Sequence, residues 1–288
     1  MFADHALACR IEQAECRLTT DVAARISARS DRVFVAPFMG GAAVHVGVDA
    51  PFNKLIGPGL HGPPSDEDKL ALAEIEREFD ARAAPLQVEL ATLADCSLAQ
   101  LLTGRGYGLV SFENVLGLRL DEKTVSALRA KTPPDSLFIE SCGTSEQEDW
   151  IRTVVDGFAH PDSTPSGSHE ESIPQEELKQ VMRDMSGVAG FARYLARVDG
   201  TLAGGGAVRL CDGIAQLCGS ATLPALRRRG VQSALLRCRL LSAAQAGCDV
   251  AVITTQPGSR SQQNAQRQGF ALLYSRAILV RQPRSFLG

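Results

Sequence analysis

Ala221-Thr222-Leu223-Pro224-Ala225-Leu226-Arg227-Arg228-Arg229-Gly230-Val231-Gln232-Ser233-Ala234-Leu235-Leu236 is the stretch that decides how this chain is read. Residues 216–222 form an apolar-rich run that predicts a strand ending here. A proline then turns the chain, and a basic loop containing one glycine opens a helical pattern. The first turn of a helix has N–H groups without intrahelical partners and carries a partial positive charge. Gly230 lets a bulky anion approach the backbone. Arg227, Arg228 and Arg229 add fixed charge and planar donors. A strand–turn–helix junction of this chemistry suits a pyrophosphate.

Working outward, apolar residues recur at three- and four-residue steps through Ala234, Leu235, Cys238 and Leu241, which predicts a helix near 230–246. The run Val250-Ala251-Val252-Ile253-Thr254 predicts the next strand, and Gln268-Gly269-Phe270-Ala271-Leu272-Leu273-Tyr274-Ser275 a last one. The same order occurs earlier in the chain. A helical pattern near 67–82 (Leu70, Ala73, Ile75, Phe79) precedes the run Leu86-Gln87-Val88-Glu89-Leu90. Arg105-Gly106-Tyr107-Gly108-Leu109-Val110-Ser111-Phe112 then mirrors the Gly-Phe segment. The offset is 163 from Gly106 to Gly269 and 164 from Leu86 to Val250. Each half reads strand–helix–strand–helix–strand, and a repeat of this length is a duplicated domain rather than a solenoid unit.

The boundary is expected at Thr132-Pro133-Pro134-Asp135, giving domains over 1–130 and 136–288. The second domain is expected to begin with a strand near Phe138-Ile139-Glu140 and a helix over 146–158, with Trp150, Val154 and Phe158 on one face. A charge-rich loop over 160–171 and a helix over 176–185 follow. Strands over 192–198, 202–210 and 214–221 are separated by Asp199-Gly200 and Asp212-Gly213, both hairpin signals.

Of the 288 residues, 44% are hydrophobic and 22% charged, and the net charge is −3. That is the composition of an ordinary globular protein. It has no general basic character for a nucleic-acid partner. No apolar run approaches the ~18–20 residues that span a bilayer. MFADHALACRIEQAECRL at the start lacks an apolar segment of the secretory kind. Eight scattered cysteines without a CxxC pair are expected to be free thiols in a cytoplasmic setting. No Cys or His cluster has zinc-ligand spacing, so no metal is expected.

The second half resembles the GNAT superfamily of acyl-CoA-dependent N-acyltransferases over about 150 residues, from roughly 138 to 282. Arg227, Gly230 and Gln232 occupy the family's Q/R-x-x-G-x-G/A positions, with Gln where Gly or Ala is usual. The strand 250–254 and the helix Ser261-Gln262-Gln263-Asn264-Ala265-Gln266-Arg267-Gln268-Gly269-Phe270 follow in the family's order. The resemblance implies an α/β (α+β) fold of two tandem GNAT-like domains. Each would be a mixed, mostly antiparallel twisted sheet flanked by helices. Acetyl-CoA would be the co-substrate. Its pantetheine arm would pair with the backbone at Ser220, Ala221 and Thr222, between strands splayed into a V. Its pyrophosphate would sit on the N–H groups of Arg228, Arg229, Gly230, Val231, Gln232 and Ser233. Asn264 would face the arm, or simply pair within its helix. An amine of a small molecule or peptide would attack the thioester directly, with a backbone N–H near Thr222 stabilising the oxyanion.

Where many family members have a tyrosine general acid, four residues before Gly269, this chain has Ala265. Tyr274 is the one nearby candidate, with core packing as its alternative. The strand 214–221 carries no acid, so the base is unknown. A water chain and the loop residues His160, Asp162, His169, Glu170 and Glu171 are both open, as is plain solvation of that loop. Cys218 reads as a small apolar residue. In the first half, Pro63-Pro64-Ser65-Asp66-Glu67-Asp68-Lys69 stands where the pyrophosphate loop would be. It has no Gly or Arg and three acids, so it would cap a helix and repel a pyrophosphate. The first domain is therefore expected to be degenerate. The alternative function is an acyl-CoA sensor without turnover, and a monomer and a homodimer are both open.

Overall fold

The computed structural model describes residues 1–48, 50–160 and 174–284. In chain order it holds α1 (His5–Ser27), β1 (Phe34–Phe38), β2 (Gly41–His45), β3 (Lys54–Ile56), α2 (Asp66–Ala81), β4 (Leu86–Ala91), α3 (Cys96–Gly104) and β5 (Gly108–Arg119). Then come α4 (Glu122–Ala130), β6 (Leu137–Ser141), α5 (Gln147–Ala159), α6 (Gln175–Ser186), β7 (Phe191–Val198), β8 (Thr201–Cys211) and β9 (Ile214–Thr222). The chain closes with α7 (Val231–Gln245), β10 (Val250–Thr255), α8 (Arg260–Arg267) and β11 (Ala271–Arg281).

Two compact units result, one of Met1–Gly117 with Thr254–Gly288 and one of Leu118–Ile253. The division departs from the boundary expected near 130–136, because the C-terminal α8 and β11 belong to the first unit. The physical reason is strand pairing. β11 lies antiparallel between β4 and β5, with Ile278 opposite Glu89 on one side and Ser111 on the other. Leu279 closes the core of Phe38, Leu72, Phe79, Val88 and Leu102. Periodicity identifies a strand but not its partner, and this partner lies in the other half of the sequence.

Within the first unit the strand order is β1-β2-β3-β4-β11-β5, and within the second β10-β9-β8-β7-β6. Each unit has one parallel pair, β3 with β4 and β9 with β10, joined through α2 and α7 respectively. The remaining neighbours are antiparallel. The shared pattern accounts for the constant offset of the repeat. Both Asp-Gly pairs form two-residue hairpin loops with positive φ at each position, 49° and 76° at 199–200 and 47° and 79° at 212–213, which matches the twist of the flanking strands.

Side-chain details shift the helical readings. On α2 the buried face is Leu72, Ile75, Glu76 and Phe79, and Leu70 is exposed. On α5, Trp150 and Val154 are buried and Phe158 is exposed. α1 was not anticipated, although Ile11, Ala14, Leu18, Val22 and Ile26 mark its buried stripe and Asp4 caps it by accepting from the Leu7 N–H.

The first unit encloses a charged network. Arg276, 1% exposed, donates to Glu12 at 2.8 Å and lies 3.5 Å from carboxylate oxygens of both Glu89 and Glu113. Lys54 donates to Glu89 at 2.7 Å, and the Tyr274 hydroxyl donates to Glu12 at 2.7 Å. Burial raises the Glu12 carboxyl above the usual range, while Arg276 pulls it back. Removing one member of a buried network leaves uncompensated charge. Arg276→Met is expected to lower stability by about 3–5 kcal/mol in urea unfolding. A loss below about 1 kcal/mol, the scale of an exposed pair, would show that Arg276 is not the network's centre.

Candidate acyl-CoA site

The second unit's site begins with a defect in register. Ala207 of β8 faces Cys218 of β9, but Gly205 faces Ala221. Gly206 is thus opposed by two residues, Gly219 and Ser220, and β9 carries one extra residue. Gly219 has φ +52°, the left-handed geometry of a bulge whose first residue is glycine. On the other edge of β9, pairing with β10 runs from Ile214–Val250 to Gln216–Val252. It stops before the bulge, so β9 beyond Gln216 has no partner in that register. Leu223 donates its N–H to Ala203 of β8. By the alternation of a strand, the N–H and C=O of Thr222 point to the unpaired side. The Thr222 hydroxyl is buried without a hydrogen-bond partner among the described residues.

After β9, Pro224–Leu226 makes one 3-10 turn and the basic loop follows. Arg227 turns inward: its guanidinium donates to Thr222 O at 3.3 Å, to Gly157 O at 3.4 Å and to His160 O. It braces the end of β9 against the end of α5. Arg228 (φ +64°) and Gly230 (φ +80°) are both left-handed, and Arg228 and Arg229 are exposed. Arg229 lies 3.7 Å from Asp199 in an exposed pair.

Gly230 is the N-cap of α7 and offers no side-chain cap, and the first turn holds no acid. A Cβ at 230 would meet only Leu137 at 3.9 Å, so the space over the backbone is open. Val231 and Ala234 are buried and anchor the helix, while Gln232 and Ser233 are exposed. An exposed helix start with no carboxylate, two outward arginines and an unfilled cap has the donor set an anion needs.

The corresponding helix start of the first unit is the reverse. Ser65 caps α2, donating its hydroxyl to Asp68 at 2.6 Å while Asp68 N–H donates back at 3.1 Å. Asp66, Glu67 and Asp68 fill the first turn. Gly57, just past β3, packs against the backbone of Glu12 on α1.

The other expected site residues are dispersed. Ser220, in the bulge, and Ala221 and Thr222, just past it, form the end of β9. Ser220 Oγ accepts from Arg239 at 3.2 Å, and Cys218 is half-buried. None of the eight cysteines is in a disulfide. Asn264 is exposed on α8 and belongs to the first unit. Tyr274 belongs there too, buried with its hydroxyl committed to Glu12 and its proton held well above the usual phenol range, first by burial and then by the Glu12 charge. That is the packing role rather than the acid role. His160 ends α5, and Asp162, His169, Glu170 and Glu171 lie outside the described residues.

Arg239, buried within α7, was not read from sequence. Glu113, which the sequence places on a strand either as an exposed residue or as one facing an amine, lies on β5, one-third exposed beside Arg276. Burial and then the nearby Glu89 charge push the Glu113 carboxyl up to about 7.

Residues 158–270 match the model of the Acetyltransferase (GNAT) family. Over that segment the chain is similar to GNAT acetyltransferases. Solved structures give the fold of the whole. A GCN5-related N-acetyltransferase from Kribbella flavida is 20% identical, with 98% of this chain and 97% of that one covered and a TM-score of 0.67. A tandem GNAT protein from the clavulanic acid biosynthesis pathway is 11% identical over 97% and 94%, with a TM-score of 0.66. A GCN5-related N-acetyltransferase from Sphaerobacter thermophilus is 15% identical over 85% and 78%, with a TM-score of 0.55. No curated protein matches the chain. The tandem layout, with a mixed and mostly antiparallel sheet flanked by helices, is thus a fold of known proteins, and the chemistry of the matched family is acetyl transfer.

A raised carboxyl makes a signed prediction. The folded state holds the Glu113 proton to about pH 7, whereas an unfolded glutamate releases it near 4.3. The folded chain binds more protons between these values, so this group's contribution to stability falls as pH rises through that window. Glu113→Gln removes that loss. Urea midpoints from pH 5 to pH 8 are expected to show the variant gaining on the wild type toward the upper end. A constant difference across that range would mean Glu113 titrates normally.

Proposed function

We propose that the second unit binds acetyl-CoA and transfers its acetyl group to an amine of a small molecule or peptide by direct attack on the thioester. The observation that carries this reading is the conjunction at one end of β9: a bulge, the end of pairing with β10, and an uncapped, acid-free helix start. The edge of β9 beyond its pairing with β10, where the Thr222 N–H points outward and the Thr222 C=O accepts from Arg227, can receive a pantetheine arm as a surrogate strand. The first-turn amides of α7 with Arg228 and Arg229 suit the pyrophosphate. Arg227 supports the geometry from inside.

The amine attacks the thioester carbon, the carbonyl oxygen takes up negative charge, and the thiolate leaves. The Thr222 N–H is the donor best placed for that oxygen. One such donor is worth about 10²–10³ in rate. β9 has no carboxylate and Tyr274 is held in the core, so we assign proton removal to solvent and take the acceptor to react as its free amine. The first unit is a degenerate copy in this reading, because its helix start is capped and acidic.

The commitment of Tyr274 to Glu12 favours a second reading, an acyl-CoA sensor without turnover. Thiolate release with a panel of amines separates the two. Wild type is expected to turn over at least one amine above hydrolysis. Gly230→Asp, which sets bulk and negative charge where the anion lies, is expected to lower kcat/KM by about 100-fold or more, about 2.7 kcal/mol. Asp is among the residues that best tolerate left-handed φ, so the fold should survive. Binding without release for every amine would favour the sensor, and an unaffected Gly230→Asp would remove the pyrophosphate assignment.

A further inference from the structure

Arg239 lies on the inner face of α7 and is 2% exposed. Its hydrogen-bond acceptors are neutral: Leu235 O at 3.1 Å on its own helix, Ala207 O at 3.0 Å on β8, Cys218 O at 3.5 Å and Ser220 Oγ at 3.2 Å on β9. The last three bracket the bulge, since Ala207–Cys218 is the last regular pair before it and Ser220 is one of the two residues opposite Gly206. Burial lowers the guanidinium to about 10, which leaves it charged at neutral pH.

The fit extends to β8. A Cβ at Gly206 would come within 3.2 Å of the Arg239 guanidinium and 3.1 Å of Ser220 Oγ, so any larger residue there would press the guanidinium out of place by a few tenths of an ångström. From the opposite side of the sheet Trp150, fully buried on α5, donates its indole N–H to Gly206 O at 3.3 Å. Burying an arginine without a carboxylate is unfavourable unless its donors are used. Here they serve one oxygen of α7 and three that flank the bulge, Ala207 O and Cys218 O at the last regular pair and Ser220 Oγ within it. Guanidinium donors diverge in a fixed plane and can tie several oxygens at once, which an ammonium cannot reproduce.

We infer that Arg239 is a positioning residue for acyl-CoA: by holding Cys218 O and Ser220 Oγ against α7 it fixes the β9 bulge and so presents the Thr222 backbone to the pantetheine arm. The inference rests on the acyl-CoA reading above. It also separates the two ends of the ligand. The pyrophosphate end meets the start of α7 and the loop, which Arg239 does not touch, whereas the pantetheine end depends on the bulge.

The test is calorimetric titration of wild type, Arg239→Lys, Arg239→Met and Gly206→Ala with two ligands. One ligand is acetyl-CoA. The other is adenosine 3′-phosphate 5′-diphosphate, which has the phosphates but no pantetheine. Arg239→Met is expected to weaken acetyl-CoA at least tenfold and the nucleotide less than twofold, with Arg239→Lys rescuing only part of the loss. Gly206→Ala crowds the guanidinium without removing it, and is expected to show the same selective loss if Arg239→Met does not fold. Equal weakening of both ligands, or unchanged acetyl-CoA binding in the folded variants, would overturn the positioning role. Wild type that binds neither ligand would overturn the acyl-CoA reading, and this inference with it.

Discussion

One extra residue in β9 shapes the site. Without the Gly219–Ser220 bulge, β9 would continue in register with β8 and there would be no local reason for its last residues to stand unpaired. With it, the strand turns its Thr222 backbone groups toward an edge that β10 has already left. A free strand edge in a protein interior is a liability unless something fills it, and an extended amide-bearing ligand is a natural occupant. The bulge is held from both faces, by Trp150 and by Arg239. The residues at the bulge are thereby tied down by two buried side chains.

The two units show how one topology diverges at a single helix start. α2 and α7 each connect a parallel strand pair, and each begins a few residues after the first strand of that pair. α2 satisfies its first amides with Ser65 and surrounds them with three acids. α7 starts on a left-handed glycine, with arginines before it and no cap. The field at a helix N-terminus favours anions by about 0.3–1 kcal/mol per charge, and side chains at the same place decide whether the anion comes from within the chain or from outside. The first unit supplies its own. Its interior carries charges of its own, with Glu12, Glu89, Glu113 and Lys54 linked around Arg276 and the Tyr274 hydroxyl donating to Glu12.

Local chemistry was legible in the sequence and long-range pairing was not. The arginine–glycine loop, the β9 and β10 strands and both Asp-Gly hairpins stand where short-range reasoning places them, since each depends on φ preferences and apolar period within a few residues. The repeat offset revealed the tandem architecture because both parallel crossovers have similar lengths. The home of β11 depends on partners in the other half of the chain, so the expected boundary missed it, and with it the placement of Asn264 and Tyr274. α7 misled in a different way. The apolar steps place Cys238 on the helix's inner face with Ala234, Leu235 and Leu241, yet Arg239 is in the core while Cys238 is only partly buried. A buried arginine follows from oxygens exposed by an irregular strand, and the bulge itself left only a Gly-Ser in the sequence.

The central claim is that a duplicated fold retains one acyl-CoA site, on the second unit. Calorimetric titration of acetyl-CoA into the wild-type chain tests it most directly through stoichiometry. The account predicts one equivalent bound per chain. Two equivalents would contradict the degeneracy of the first unit, and no binding would mean that the bulge, the open strand edge and the uncapped helix persist without the ligand they fit.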